Sequence, residues 1–383
     1  MALHFTRREL ADRRRRACAR MAEAGLDGLL LFRQESMYYL TGYDTSGYSM
    51  FQGMYLGADG RLALCTRSAD LRQARLTSMV EDVRVWRDRE GANPADDLRA
   101  MLDDLGCQGA RLGVEYHAYG LTAQRGQMLD AALHGFCRTE DASDLVRLLR
   151  LVKSPAELAY VRQAGRLADQ ALAVANRLTV PGAPVGLVYA EMLKVILAGD
   201  GDPSASRWPM GHGEEALLVR YHTGHGRVAA RDQVTFEFAA AYRHYHVALM
   251  HVVVTGKVDR RHRAMFQACR DALDACHEVL RPGRTVGEVF AAHARVLAKA
   301  GYEGQFLNAC GYTMGATYPP TWMDWPMVYA GNPQVLDAGM VFFLHMILVD
   351  GRTGLAMSLG ETSIVTPRGP EPVSHAPREL IVN

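Results

Sequence analysis

The chain has 383 residues, of which 49% are hydrophobic and 22% are charged, with 43 Lys and Arg against 42 Asp and Glu. It is long enough for two or three domains and apolar enough to bury a sizeable core. The even charge balance argues against a protein that coats nucleic acid, because neutralising phosphates requires a surplus of positive charge on one face. The seven cysteines are scattered and form no CxxC pair, which argues against a disulfide framework and against a zinc ribbon.

The region near the N-terminus lacks the apolar stretch of a signal peptide, because arginines occupy positions 7, 8 and 13–16. Apolar runs elsewhere stay shorter than the about 18 residues that a membrane span needs. We therefore expect a cytoplasmic protein that does not contact a membrane.

The first 148 residues alternate helical and strand-like patterns, which predicts one small α/β domain. The patterns place helices at 7–24 and 97–105 and strands at 28–32, 54–56, 62–65 and 111–114. Asp59-Gly60 is typical of a hairpin turn between two of these strands. The arginine run at 13–16 is interpreted as a solvated helix face rather than a nucleic-acid patch, because no aromatic residues accompany it.

A second domain, residues 149–383, begins at a strong helix-start signal. Ser154 is a typical N-cap, Pro155 suits the first helical position, and Glu157 completes a capping box. Apolar residues then recur at helical spacing to about residue 178.

The second domain contains a weak internal repeat. The segment VPGAPVGLV at 180–188 is matched by RPGRTVGEV at 281–289, where Thr285 and Glu288 predict a second capping box. Strand-rich stretches follow both copies, at 233–256 and 340–365. Two such α-α-β copies facing each other would form a pseudo-twofold cup with its strands inside.

The order of these motifs resembles the pita-bread family of methionine and Xaa-Pro aminopeptidases, prolidase and creatinase, over nearly the whole chain. The resemblance implies an α+β fold, with a small α/β N-terminal domain of the creatinase type at 1–148 and a pseudo-twofold pita-bread catalytic domain at 149–383. It also implies that the five positions that bind metal in the family fall here on Glu237, Ala248, Tyr312, His345 and Glu361.

Two of these five residues are carboxylates, whereas a pair of divalent ions needs bridging carboxylates to offset its charge. We therefore expect a site without metal, with a bound divalent ion as the alternative. Within the family the chain is most similar to the metal-free ectoine hydrolase and creatinase. Creatinase also has alanine at the position of Ala248, and ectoine hydrolase has a similar glutamate strand, a following Tyr245-His246 pair and a Pro-Pro-x-Trp segment that ends here at Trp322.

This resemblance implies a hydrolase that cleaves a C–N bond of the amide, amidine or guanidine type in a small zwitterionic metabolite. An Xaa-Pro peptidase with an atypical metal site is one alternative, and a non-catalytic pita-bread binding protein is another. The family also implies a homodimer in which the N-terminal domain of one subunit covers the active site of the other, so that Tyr48 and Met50 would contact the substrate.

Hydrolysis without a metal needs a base to deprotonate water and an acid for the leaving nitrogen. Histidine suits the base because its unperturbed pKa lies near neutrality. The segment around the predicted site is rich in histidine, at positions 212, 222, 225, 244, 246, 251 and 345. We predict that His222 is the base, because it lies just ahead of the Glu237 strand, on the segment that carries the family's catalytic histidine.

Glu237 lies in an apolar strand, where a charge is costly to bury unless it is paired. It could hold a cationic amidinium or attack the electrophilic carbon as a nucleophile, and an ion pair with an arginine is the structural alternative. Glu361 is predicted to be a second clamp or the proton donor, because two carboxylates in one cavity tend to split their pKa values. The remaining predicted site residues bind the substrate or its developing charge: Tyr312, His345, His246 and Trp322.

Overall fold

The chain divides at Arg150 into an N-terminal and a C-terminal unit in the computed structural model, which describes residues 3–221 and 224–383. The division lies close to the boundary that the capping box predicted. That capping box is present, because the Ser154 side chain accepts a hydrogen bond from the Glu157 backbone N–H and the Glu157 carboxylate accepts one from the Ser154 N–H.

The N-terminal unit is built on one mixed six-stranded sheet in the order β4-β3-β2-β1-β5-β6. Its helices are α1 (Arg7–Ala24), α2 (Gln34–Thr41), α3 (Leu71–Thr77), α4 (Pro94–Asp104), α5 (Ala123–Leu133) and α6 (Ser143–Leu151). Its strands are β1 (Gly28–Leu31), β2 (Gly53–Gly57), β3 (Leu62–Arg67), β4 (Asp82–Trp86), β5 (Arg111–Val114) and β6 (Arg138–Asp141). The predicted hairpin is present, since β2 pairs antiparallel with β3 and Gly60 adopts the left-handed φ of 85° that its turn requires.

Strand β1 lies at the centre of this sheet and is buried on both faces. Leu29 and Leu31 pack into one hydrophobic cluster, whereas Leu30 packs into another on the opposite face. An uninterrupted apolar strand of this kind is expected where helices cover both sides of a sheet.

The arginine run in α1 differs in part from the sequence-based interpretation. Arg15 is exposed, as a solvated face requires, but Arg13 is only 1% exposed. The Arg13 guanidinium lies 4.0 Å from the Phe5 ring centroid and 4.5 Å from that of Tyr39, and it donates hydrogen bonds to the Tyr39 carbonyl and the Glu9 carboxylate. Aromatic rings and two acceptors thus replace water around this charge.

The C-terminal unit combines four helices with a nine-stranded sheet, counted over its described residues. The helices are α7 (Pro155–Leu178), α8 (Val185–Ala198), α9 (Arg260–Val279) and α10 (Val286–Lys299). The strands are β7 (Met210–His212), β8 (Asp232–Tyr242), β9 (Tyr245–Thr255), β10 (Ala309–Thr313), β11 (Asp324–Tyr329), β12 (Val341–Asp350), β13 (Leu355–Thr366), β14 (Gly369–Pro372) and β15 (Ile381–Val382). Among the helices of residues 3–221 and 224–383, none is long and apolar enough to cross a membrane.

The predicted internal repeat is present as two copies of a helix pair followed by a strand pair. Helices α7 and α8 precede β8 and β9, and helices α9 and α10 precede β12 and β13. The two copies meet where β9 pairs antiparallel with β13, and the sheet runs in the order β11-β10-β12-β13-β9-β8-β7. The predicted α+β architecture is therefore confirmed.

The β12 strand alternates between the two faces of this sheet. Leu344 and Met346 pack into a hydrophobic cluster with Cys269 of α9 and Val289 of α10. Because successive strand residues point to opposite faces, His345 projects to the other face.

Candidate active site

A row of opposed residues crosses the four central strands of the C-terminal sheet. Glu237 on β8 lies opposite Met250 on β9, Met250 lies opposite Gly360 on β13, and Gly360 lies opposite His345 on β12. Directly opposed residues on neighbouring strands project to the same face. Glu237 and His345 therefore share the face that points away from α9 and α10.

This face borders a cavity of about 180 Å³. Four of its lining residues were predicted from the sequence: Glu237, Tyr312, Trp322 and His345. Two arginines, Arg207 and Arg220, line it as well, together with apolar side chains that include Leu307 and Ile347. The sheet thus contributes polar side chains to the cavity, and two exposed arginines contribute positive charge. Much of the remaining lining is apolar.

A chain of hydrogen bonds ends at the Glu237 carboxyl. The Trp322 indole N–H donates to the Tyr312 hydroxyl at 2.8 Å, and that hydroxyl donates to Glu237 Oε1 at 3.1 Å. Because an indole nitrogen can only donate, the Tyr312 proton is left free for the carboxyl group. Tyr312 and Trp322 are 2% and 4% exposed, so both donors of this chain are buried.

Burial dominates the protonation states in this cavity. It raises the pKa of Glu237 to about 7, although the Tyr312 hydrogen bond and the Arg220 charge act in the opposite direction. Burial also raises the pKa of Tyr312, which keeps its hydroxyl a donor, and lowers the pKa of His345 to about 3, which keeps its imidazole neutral. At neutral pH the Glu237 carboxyl can therefore both accept and release a proton.

His345 lines the cavity and has unused hydrogen-bonding capacity. Its Nδ1 atom is buried and has no hydrogen-bond partner within the described part of the chain. Buried polar atoms are normally satisfied by protein, water or ligand. His345 is therefore suited to contact a polar group of a bound molecule.

The expectation that Glu361 shares a cavity with Glu237 is wrong. Glu361 lies opposite Leu344, so it projects to the face covered by α9 and α10. There it accepts hydrogen bonds from Arg378 at 2.5 and 2.9 Å and lies 3.3 Å from His277 Nε2. The residue of β13 that faces the cavity side is Gly360, one position earlier, and a shift of one residue in a strand exchanges its two faces.

The structure also places His246 away from the cavity. The Ala205 N–H donates to its Nε2 atom at 3.0 Å, and its Nδ1 atom lies 2.7 Å from the His244 carbonyl oxygen. Burial lowers its pKa to about 3. Both ring nitrogens thus bind the backbone, and the prediction that His246 contacts the substrate is not supported by its position.

Three other predicted site residues lie outside this cavity or outside the described residues. His222, the predicted base, lies outside the described residues. Tyr48 and Met50 belong to the N-terminal unit, where Met50 is 36% exposed. Their contact with a substrate through a homodimer stays a prediction.

Sequence reasoning missed Arg207 and Arg220. Arginine is abundant throughout the chain, and neither position belongs to a motif that separates it from the others. The one available signal was that Arg220 lies two residues before His222 on the segment leading into β8. Only the folded arrangement brings both residues to the same cavity as Glu237.

The residues of this site do not fit the metal centre that the family resemblance implies. Among the described residues, no three His, Cys, Asp or Glu side chains are grouped so that they could hold a metal ion. Ala248 and Gly360 offer no donor, and a Cβ atom at Gly360 would lie 2.9 Å from atoms of the Phe343 ring. A carboxylate could not be placed there unless Phe343 moved.

The chain is similar over nearly its whole length to known hydrolases and peptidases. The chain is 27% identical to the uncharacterized hydrolase/peptidase y4tM of Sinorhizobium fredii over 99% of both chains. It is 26% identical to the ectoine hydrolase of Halomonas elongata over 100% of this chain and 99% of that one. Its fold is similar to that of dipeptidase PepE from Mycobacterium ulcerans, with a TM-score of 0.85, 25% identity and 99% of each chain covered.

The same relationship extends across both units of the chain. Residues 13–152 match the creatinase/prolidase N-terminal domain, and residues 159–367 match metallopeptidase family M24. The predicted resemblance to the creatinase and aminopeptidase family is confirmed. The chain belongs to metallopeptidase family M24 and is a hydrolase-family protein with a creatinase-type N-terminal domain.

Proposed function

We propose that this protein hydrolyses a C–N bond of the amide, amidine or guanidine type in a small zwitterionic metabolite. The observation that carries the proposal is the joint presence of Glu237, Arg207 and Arg220 around one cavity. Both arginines are exposed residues that line the cavity, so a ligand bound there can reach them. A molecule with a carboxylate at one end and a nitrogen-rich group at the other would complement this arrangement.

The size of the cavity supports a small substrate. Its volume of about 180 Å³ is below the roughly 300–1,000 Å³ that is usual for drug-sized ligands. Leu307 and Ile347 provide apolar walls that suit the carbon skeleton of such a molecule. Glu237 would then face the nitrogen-rich group, where its carboxyl can clamp it, attack its carbon or transfer protons.

We also propose that the reaction proceeds without a bound metal. This proposal is supported by the residues present at the site. Ala248, Gly360 and Tyr312 stand where a pair of divalent ions would need charged ligands. His222, the base predicted from the sequence, remains a proposed proton acceptor, together with Glu237.

A dipeptidase is the second candidate. It is favoured by the similarity to dipeptidase PepE, and a dipeptide is itself a zwitterion with a C–N bond. The two candidates respond differently to the removal of metal ions, because the peptidases of this family are metallopeptidases.

A substrate screen after treatment with a chelator separates the two. The panel contains ectoine, hydroxyectoine, creatine and N-acyl diamino acids on one side, and Xaa-Pro and other dipeptides on the other. We expect turnover of a compound from the first group, undiminished by the chelator. Turnover of dipeptides alone, restored by adding Mn²⁺, Zn²⁺ or Co²⁺, would reject the proposal in favour of a metallopeptidase.

A further inference from the structure

A second, smaller chamber shares part of its wall with the active-site cavity. Glu237, Val219 and Ile347 line both spaces, and Thr235 and Ser358 line the smaller one alone. The volume of the chamber is about 10 Å³. A cavity needs roughly 10–15 Å³ measured in this way to hold one water molecule.

Ser358 lies on the same face of the sheet as Glu237. Gly360 belongs to the row that contains Glu237, and Ser358, two residues earlier on β13, projects in the same direction. Ser358 is 3% exposed, and its Oγ atom has no hydrogen-bond partner within the described part of the chain. A hydroxyl group buried to this extent normally binds either protein or an ordered water.

The other polar groups of the chamber are suited to the same water. The Thr235 hydroxyl donates to the Gly211 carbonyl oxygen at 3.3 Å, so its lone pairs remain free to accept. Tyr312 binds Oε1 of Glu237, and no described residue donates to Oε2. A water in the chamber would meet the two to four polar partners that buried waters usually have.

We propose that this chamber holds one ordered water between Ser358 and Glu237, and that this water is the nucleophile of the hydrolysis. The inference rests on the proposed function. The water oxygen bonds to the electrophilic carbon while its proton passes to the Glu237 carboxylate. The C–N bond then breaks, and the leaving nitrogen takes the proton back from Glu237, so that one water is consumed and no other reactant is needed.

Ser358 is a positioning residue in this scheme, because it acts through the water and not on the substrate. The near-neutral pKa of Glu237 suits the carboxyl to both proton transfers. Because Glu237, Val219 and Ile347 line both spaces, the water would lie beside the larger cavity in which the substrate would bind.

Ser358→Ala and Ser358→Val test the inference in the full chain. Alanine removes the hydroxyl, and valine also fills the chamber. We expect kcat to fall at least tenfold in Ser358→Ala and further in Ser358→Val. The fall should not exceed the roughly 10²–10⁴-fold that acid–base catalysis contributes in total. KM should change less than about twofold, because Ser358 does not line the substrate cavity. A merely structural role for Ser358 would not separate kcat from KM in this way.

Ser363→Ala is the matched control. Ser363 is a buried serine of the same strand that projects to the opposite face, where its hydroxyl lies 3.1 Å from His277 Nε2. It should leave kcat unchanged. A folded Ser358→Ala variant with the kcat of the unmodified enzyme would overturn the inference.

A high-resolution crystal structure provides a second arm that does not depend on activity. We expect density for a water within hydrogen-bond distance of both Ser358 Oγ and the Glu237 carboxyl, and its loss in Ser358→Val. Absence of this density in the unmodified enzyme would overturn the inference even if the enzyme is active. If no compound of the substrate panel is turned over, the proposed function is rejected instead. The electron density would then still show whether a water binds between Ser358 and Glu237.

Discussion

The Tyr312 hydroxyl lies 3.1 Å from Glu237 Oε1, and this contact joins β10 to β8 although three strands separate them in the sheet. The contact is made possible because both residues project to the same face. The Tyr312 oxygen accepts the hydrogen bond from the Trp322 indole N–H, so the Tyr312 hydroxyl proton is free to be donated to the carboxyl group. A partly buried carboxyl is thereby held in one orientation, which is what a group that transfers protons or attacks a carbon requires.

Glu237→Gln should abolish turnover while the fold is kept. The amide has nearly the same volume and can still accept the Tyr312 hydrogen bond, but it can neither transfer a proton in the same way nor attack as a nucleophile. Loss of such a function costs about a hundredfold or more in rate. Steady-state kinetics together with thermal melting checks this, and normal turnover with a shifted Tm would make Glu237 a structural residue. If activity is lost, a covalent adduct of the unmodified enzyme seen by mass spectrometry would distinguish a nucleophile from a clamp or base.

The same substitution should increase stability at alkaline pH. Burial raises the pKa of Glu237 to about 7 from 4.5, so the folded state binds more protons than the unfolded state between these values. The stability of the unmodified protein therefore falls as the pH rises from about 4.5 to 7, by up to about 3 kcal/mol from this group. Glu237→Gln does not lose this stability, because its side-chain amide does not titrate. Chemical denaturation should give the variant no higher free energy of unfolding than the unmodified protein at pH 4.5, and a clearly higher one at pH 8. The same difference in the free energy of unfolding at both pH values would contradict a carboxyl whose pKa is raised in the folded state.

Tyr312→Phe should move the acid limb of the pH–rate profile to higher pH. The Tyr312 hydrogen bond lowers the pKa of Glu237, so its removal raises that pKa further, and the reactive carboxylate forms only at higher pH. The bond is made to a charged carboxylate, and such a bond contributes about 1.5–3 kcal/mol, so the rate at neutral pH should fall by roughly tenfold or more. The measurement is kcat against pH, with Glu237→Gln as the inactive reference. An acid limb that stays in place would show that Tyr312 does not influence the catalytic carboxyl.

The fold could be predicted from local signals in the sequence. Ser154 and Glu157 specify the start of α7 through contacts within one helical turn, and Thr285 and Glu288 do the same for α10. Each of these signals depends on residues that are neighbours along the chain. The repeat that they mark in turn predicted the pseudo-twofold arrangement.

The site was only partly predictable, for a physical reason that Glu361 illustrates. Glu361 lies in the predicted strand, but the position that faces the cavity is Gly360, one residue earlier. A sequence comparison without coordinates does not fix the strand register to one residue. Arg220 was missed for a different reason, since nothing local distinguishes an arginine that lines a cavity from an exposed one. Glu237, Tyr312, Trp322 and His345 were found because they lie in motifs of the resemblance, and the fold brings these four to one cavity.

Arg220→Ala should weaken substrate binding more than it slows the chemical step. If Arg220 binds the substrate carboxylate, its loss removes charge-assisted hydrogen bonds worth about 1.5–3 kcal/mol, which is roughly a tenfold to hundredfold rise in KM. Arg352→Ala is a matched control, because Arg352 is an arginine of the same unit that is 85% exposed and does not line the cavity. The pKa of Glu237 should also rise in Arg220→Ala, since the Arg220 charge lowers it. An unchanged KM for a carboxylate substrate would remove Arg220 from the binding site.

Glu361→Gln should affect stability and leave catalysis intact, which is the reverse of Glu237→Gln. Glu361 receives two hydrogen bonds from Arg378, and the neutral amide would leave this half-buried guanidinium without its main counter-charge. Breaking a fully buried ion pair from one side costs about 3–5 kcal/mol. We expect less here, about 1–3 kcal/mol, because Arg378 also contacts Asp274 at 2.6 Å and is a quarter exposed. Urea denaturation at pH 7 and kcat on the same preparation give both numbers. If Glu361→Gln were as stable as the unmodified protein but inactive, Glu361 would belong to the catalytic machinery as its sequence position first indicated.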